Sequence, residues 1–322
     1  MSKATKIWLI VAASLTLLGC IIFVGAMSML HWDFTKLSTN EYETNTYEIN
    51  EAFKSIIVKT DTADIDFVPS ENAECSVICY EDKNLKHSVE VTDSTLIIKV
   101  VDTRKWYDYI GFDFGASPKI TVYIPQGAYG PLSVKSDTGD VKIPKAFSFE
   151  SIDITESTGD VTNRASASGI VKIKTSTGNI SIDDVSAKSL DLLVSTGTVR
   201  VSKAACEGDV KIKVSTGKTY LSDMTCQNLI SGGNTGDISL KNVIAREKFS
   251  LERSTGDVTF DGSDASEIFV VTDTGDVEGS LLSEKVFIVN TDTGDKEVPH
   301  TITGGRCEIT TDTGDIKITI KQ

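Results

Sequence analysis

The sequence predicts an all-β protein: a parallel β-solenoid of about ten 19–20-residue, two-strand coils with an irregular β N-terminal cap, preceded by one transmembrane helix. Three observations predict it. Thr-Gly recurs with its glycines at 139, 159, 178, 197, 217, 236, 256, 275, 294 and 314, in steps of 19 or 20 residues. Apolar residues keep register with those glycines, and the stretch Ile7 to Leu30 carries no charge.

Taken in chain order, Ile7 to Leu30 is 24 residues long, enough to cross a bilayer. Lys3 and Lys6 precede it and Asp33 follows, which favours an N-terminus inside and the body outside. The expected organisation is a cytoplasmic tail over 1–6, a transmembrane helix over 7–30, a linker over 31–45, an N-terminal β region and cap over 46–130, and solenoid repeats over 131–322. Leu17-Leu18-Gly19-Cys20 also matches a lipoprotein cleavage box, although the ten residues that follow stay apolar. Either reading tethers the body to the outer face of a cell membrane.

Seven residues before each glycine stand Leu132, Ile152, Val171, Leu190, Val210, Leu229, Phe249, Ile268, Phe287 and Cys307, an apolar column without exception. Two after the glycine, Val141, Val161, Ile180, Val199, Ile238, Val258, Val277 and Ile316 continue it, with Thr219 and Lys296 the exceptions. A spacing of two is the strand period, so each copy reads as two short strands about a Thr-Gly corner. One such unit cannot bury its inner face alone; stacked copies bury a continuous one. Upstream, Ile56 to Phe67 reproduces the repeat with Ala63 in the glycine's place, 76 residues before Gly139, or four coils of 19. Strands are expected at Cys75–Tyr80, Ser88–Val91, Leu96–Val101 and Lys119–Ile124. The chain ends on Ile316 to Gln322, read as the far edge of the stack, blunted by Lys317 and Lys321 or paired with a partner.

The run Lys119 to Pro125 leading into Ser136-Asp137-Thr138-Gly139-Asp140-Val141, with the Ser-Thr-Gly-Asp repeats beyond it, resembles the bacterial β-strand-repeat family labelled "putative adhesin", which includes LiaG-like envelope proteins. The resemblance covers residues 46 to 322. It implies an anchored extracytoplasmic protein and brings no catalytic residues with it.

A net charge of −14, with only Lys3 and Lys6 charged in the first thirty residues, argues against nucleic-acid binding. Asp137-Thr138-Gly139, Asp273-Thr274-Gly275, Asp292-Thr293-Gly294 and Asp312-Thr313-Gly314 match the Asp-Thr-Gly of aspartic proteases, but they fall on the coil period and read as turns. In the last three coils Asp273 with Asp276, Asp292 with Asp295, and Asp312 with Asp315 form stacked acidic corners, a candidate calcium site; solvated Asx-type turns account for the same residues. Cys206 and Cys226 share a column on neighbouring coils and read as free thiols, with a disulfide the alternative. Trp106, Tyr107, Tyr109, Phe112 and Phe114 crowd one short segment, read as a cap or as a possible-partner surface. His31, His87 and His300 are scattered and no coil is long enough to throw out a cleft wall. The expected function is therefore a non-catalytic binding or scaffold protein of the bacterial envelope, with other envelope or membrane proteins as partners. A polysaccharide-acting β-helical enzyme and a calcium-binding surface module are the alternatives.

Overall fold

The computed structural model describes residues 2–33, 41–71, 74–105 and 117–321. Helix α1 (Lys3–Met29) opens the chain; Ser2 caps it by accepting a hydrogen bond from the Thr5 N–H at 3.2 Å. Its 27 residues extend about 40 Å, more than the ~30 Å of a bilayer's hydrocarbon. The helix is long and apolar enough to span a membrane.

Seven strands follow before the regular repeats: β1 (Tyr42–Ile49), β2 (Ser55–Lys59), β3 (Asp64–Pro69), β4 (Cys75–Asp82), β5 (Leu85–Thr92), β6 (Thr95–Asp102) and β7 (Lys119–Ile124). Tyr42 to Asn45, read above as tether, already belong to β1. Antiparallel pairing of β1 with β4, β4 with β7 and β5 with β6 covers the first parallel layers. The β5–β6 turn places Asp93 and Ser94 at φ of 49° and 56°, the geometry of a tight two-residue hairpin.

From Leu132 onward the chain is a parallel solenoid. Inward residues of the two predicted columns are buried from Leu132 through Ile316 except in the Gly294 coil, where Phe287 is half-buried and Lys296 exposed, and the threonines before the glycines stack in register from Thr138 to Thr313. The corner glycines have φ between 117° and 151°. A Cβ on any of them would stand 1.8–2.3 Å from a carbonyl oxygen of the neighbouring coil. Glycine is therefore required twice over, by its backbone conformation and by the approach of the next layer.

Three features depart from the sequence reading. Coils have a third, two- or three-residue strand, such as Ser186–Ala187 on Ala205–Cys206, so each is three-sided rather than two-stranded. Its corner is a column of left-handed residues, Asp184, Lys203, Asp223, Asn242 and Gly262, with φ between 50° and 59°. At the N-terminal end the Ala63 coil is not four coils from Gly139 but next to it: Val58 pairs with Val134 and Ile65 with Val141. The residues between them supply β4–β7, and β6 with β7 forms the layer on the other side of the Ala63 coil.

The far end carries the same exchange. Gly305–Thr313 pairs with Ile268–Thr274 on one side and with Lys285–Thr293 on the other. The chain's last coil thus lies between the Gly275 and Gly294 coils, and the Gly294 coil forms the open edge. Ile316 and Lys317 are not that edge, because Lys296 and Glu297 cover them. Lys285, buried, ties the end coil down by an ion pair to Asp264 at 2.6 Å.

Candidate functional site

The aspartates that follow the corner glycines are brought into one ladder. Each carboxylate accepts the backbone N–H of the equivalent residue one coil on: Asp64 from Asp140 at 2.9 Å, Asp140 from Asp160 at 2.9 Å, and Asp160 from Asn179 at 2.7 Å. Asn179 continues it to Thr198, where it breaks; it resumes with Asp237, Asp257 and Asp276. Asp276 accepts from Asp315 at 2.7 Å and Asp315 from Asp295 at 2.9 Å, which follows the exchanged stacking order. The Asp295 N–H, with Lys317, holds the Asp315 carboxyl below the usual carboxylate range. Asp273, Asp312 and Asp292 stand exposed before their corners. Calcium at these corners would have to share the Asp276 and Asp315 carboxylates with backbone donors they already hold.

One interior column carries polar groups. Three residues before the corner glycine, the Thr175, Thr272, Thr311 and Thr291 hydroxyls donate to corner carbonyls of the adjacent coil, Gly159, Gly256, Gly275 and Gly314, at 2.9–3.4 Å. Arg253 does the same through Nε to Gly236 at 3.1 Å. Glu156 stands in this column, 2% exposed, with neither carboxylate oxygen hydrogen-bonded. Burial first, then the charges of Asp140, Asp64 and Asp160, push its pKa up to about 8. A neutral acid has the hydrogen that the column requires, and the Gly139 carbonyl lies beside it: that oxygen and Glu156 Oε2 stand 1.9 and 2.7 Å from where a Cβ on Gly159 would sit.

Beneath the first coil the same column ends on Thr60, whose Oγ1 lies 2.9 Å from His87 Nε2. The other ring nitrogen, Nδ1, is 2.6 Å from Glu81 Oε2, which also accepts the His87 backbone N–H at 2.7 Å. Asn45 Nδ2 donates to Glu81 Oε1 at 2.8 Å. Cys79, two residues before Glu81 on β4, faces the same way and is buried. The Cys79, Glu81 and His87 ligand atoms lie within 4.8 Å of one another, and this is the one such trio among the described residues. A cavity of about 150 Å³ adjoins it, lined by Tyr42, Thr60, Asn84, His87, Arg104 and Pro118. The sequence reading passed over this cluster; Cys79-x-Glu81 on an alternating strand was the only local signal.

Cys206 and Cys226 lie on adjacent coils as buried thiols, and Cys307 is core. Burial pushes the first two up to about 11 and about 12. Trp106, Tyr107, Tyr109, Phe112 and Phe114 lie outside the described residues. On the long-strand face, outward residues change character along the stack. Asp153, Lys172, Asp191 and Lys211 alternate in charge as direct neighbours, and the column continues with Ile230, Ser250, Phe269, Glu308 and Ile288. Val271 (47%) and Ile288 (49%) are exposed at the far end of this face.

The model of the family described as Toastrack DUF4097 matches residues 53–213 and 198–322. The chain belongs to the Toastrack DUF4097 family. The matched residues take in the Ala63 coil and every Thr-Gly repeat, so the family and the solenoid are coextensive. Among solved structures, the chain is similar to a "putative adhesin" from Bacteroides fragilis, at 15% identity and TM-score 0.41, covering 87% of this chain and 97% of that one. It is also similar to a "putative lipid binding protein" from Parabacteroides distasonis, at 18% identity and TM-score 0.48, covering 86% and 97%. A "putative adhesin" from the same species has 12% identity and TM-score 0.48, covering 87% and 98%. No curated protein matches.

Proposed function

We propose that this Toastrack chain is a non-catalytic binding or scaffold module, held by α1 at the outer face of a bacterial membrane, that engages a protein partner of the envelope through the far end of its long-strand face. The observation that carries the reading is the use of the repeat. Each Thr-Gly coil spends its 19–20 residues on core, corners and ladder, so the outward faces of these coils are flat and, among the described residues, no loop rises to wall a substrate cleft. On those faces the charged columns near Lys172 are solvated, whereas Ile288 leaves apolar surface in water on a strand edge unpaired among the described residues, and Val271 does so two strands further in. Lys3 and Lys6 before α1 support an N-terminus inside and a body outside.

Photo-crosslinking of the full chain in its own membrane, from positions 271 and 288 and from 172 as control, tests the proposal. A discrete protein adduct from 271 and 288, absent from 172, is expected, with the 288 adduct lost in Val271→Asp. Equal labelling from all three positions, or release of sugar fragments from envelope glycans by the purified full chain, would contradict it. Protease added to intact spheroplasts should degrade the body; protection of the body would reverse the topology.

A further inference from the structure

We propose that Cys79, Glu81 and His87 form a binding site for a single divalent transition-metal ion of the zinc type, set inside the N-terminal cap between the antiparallel strands and the Ala63 coil. The three donors are a thiol, a carboxylate oxygen and an imidazole nitrogen, the set that borderline-soft ions take and that calcium and magnesium do not. All three residues are buried, at 0%, 1% and 5% exposure. Three features aim them at one point.

First, strand alternation places Cys79 and Glu81 on one face of β4, while the β4–β5 hairpin returns His87 against that face. Second, the groups behind the ligands are in place. Thr60 Oγ1 holds His87 Nε2 at 2.9 Å, and Asn45 Nδ2 holds Glu81 Oε1 at 2.8 Å, leaving Nδ1 and Oε2 turned towards each other. Orientation of a ligating histidine through its other nitrogen is how protein zinc sites fix ring and tautomer. Third, the Cys79 sulfur has no hydrogen-bond partner among the described residues, so it is the one donor of the three not engaged by the network.

The fit requires little movement. Metal–nitrogen and metal–oxygen bonds of ~2.0–2.1 Å and a metal–sulfur bond of ~2.3 Å set tetrahedral ligand atoms roughly 3.2–3.7 Å apart. The three atoms now lie within 4.8 Å of one another, and Nδ1 and Oε2 are 2.6 Å apart, bridged by a proton. The ion takes that proton's place, and the ring and carboxylate part by roughly half an ångström. In the loaded site the ring keeps its proton on Nε2, donated to Thr60 Oγ1, and binds through the Nδ1 lone pair; the proton shared by Nδ1 and Oε2 and the Cys79 thiol proton leave to solvent, and no electron is transferred. The adjoining cavity reaches the cluster at Thr60 and His87 and is not lined by Cys79 or Glu81, so the ion enters past the His87 ring.

The test uses the full chain in detergent micelles, stripped with chelator and titrated with cobalt(II) and then zinc. Binding of one equivalent is expected, with the near-ultraviolet sulfur-to-cobalt charge-transfer band of a single thiolate, displaced by zinc. The band should vanish in Cys79→Ser and His87→Gln and persist in Cys206→Ser. X-ray absorption on the zinc-loaded wild-type chain, which needs no variant to fold, should show one sulfur at about 2.3 Å and nitrogen or oxygen at about 2.0 Å. Absence of stoichiometric uptake, a band that survives Cys79→Ser, or a shell with no sulfur or with two would overturn the site.

Discussion

Between the Gly159 and Gly256 coils, order in the chain is order in the stack; at the two ends it is not. In the middle, each coil lies on the one just made, and its contacts are about 20 residues away. At each end the terminal coil sits one layer in, and a coil made from residues nearer the centre of the sequence lies outside it. The difference teaches what a repeat encodes. Periodicity fixes the shape of a coil and the identity of its columns, because every neighbour demands the same corner and core. Across the middle coils it leaves open which coil lies on which; at the far end exposed Lys296, in the place of buried Ile316, suits the Gly294 coil to the outside. The connections decide, and the exchange places both ends of the solenoid chain within the sheet, where fraying costs more than at an edge.

The largest effect should come from removing the last coil. Ending the chain at His300 deletes an internal layer, exposes the Gly275 coil and strands the Gly294 coil, so the cooperative melt of the C-terminal coils should be lost. If that coil were merely terminal, a truncated solenoid would still melt cooperatively, a few degrees lower. Next, Gly197→Ala should cost about 3 kcal/mol in denaturant titration, since its φ is 146° and the new Cβ would meet the Gly178 carbonyl oxygen at 1.9 Å. Ala63→Gly, at the end where no positive φ is needed, should cost only about 0.5–1 kcal/mol, through the entropy of the unfolded chain.

A pH dependence separates the middle coils further. The Glu156 carboxyl is raised in the folded chain to about 8 from an ordinary 4.5, so the folded state holds its proton longer than the unfolded state. That contribution is fully present below pH ~4.5 and is lost as pH rises through ~8. Thermal midpoints should therefore fall across that window. Glu156→Gln, which keeps a donor for the Gly139 carbonyl, should flatten the slope and melt higher than wild type at pH 8; an unchanged slope would show that Glu156 is ionised and otherwise compensated. The smallest effect belongs to the ladder. Asp257→Ala removes the acceptor of the Asp276 N–H and should cost about 1 kcal/mol, whereas Asp257→Asn should be nearly silent, as Asn179 already does this work.

Legibility followed locality. The columns from Leu132 to Cys307 and from Val141 to Ile316, the Thr-Gly corners and the apolar helix could be read because each is a pattern within twenty residues or so. The third strand was missed because two residues, as at Ala187 or Cys206, cannot alternate visibly. Its corner was legible in part, since Asn242 and Gly262 are residues that tolerate a left-handed backbone. Of the six aspartates singled out, the residue type showed a column, but the carboxylate's partner belongs to another coil and only the stack reveals it. His87 looked isolated because Glu81 reaches it around a hairpin and Thr60 lies 27 residues away.

The exchanged ends are tested most directly by hydrogen exchange on the C-terminal coils of the full chain. Gly305–Thr313 has partners on both sides and Lys285–Thr293 on one, so amides of 305–313 should exchange as slowly as those of 268–274, and amides of 285–293 markedly faster. The reverse ranking, with 285–293 protected and 305–313 open, would mean that the coils stack in chain order and would contradict the account.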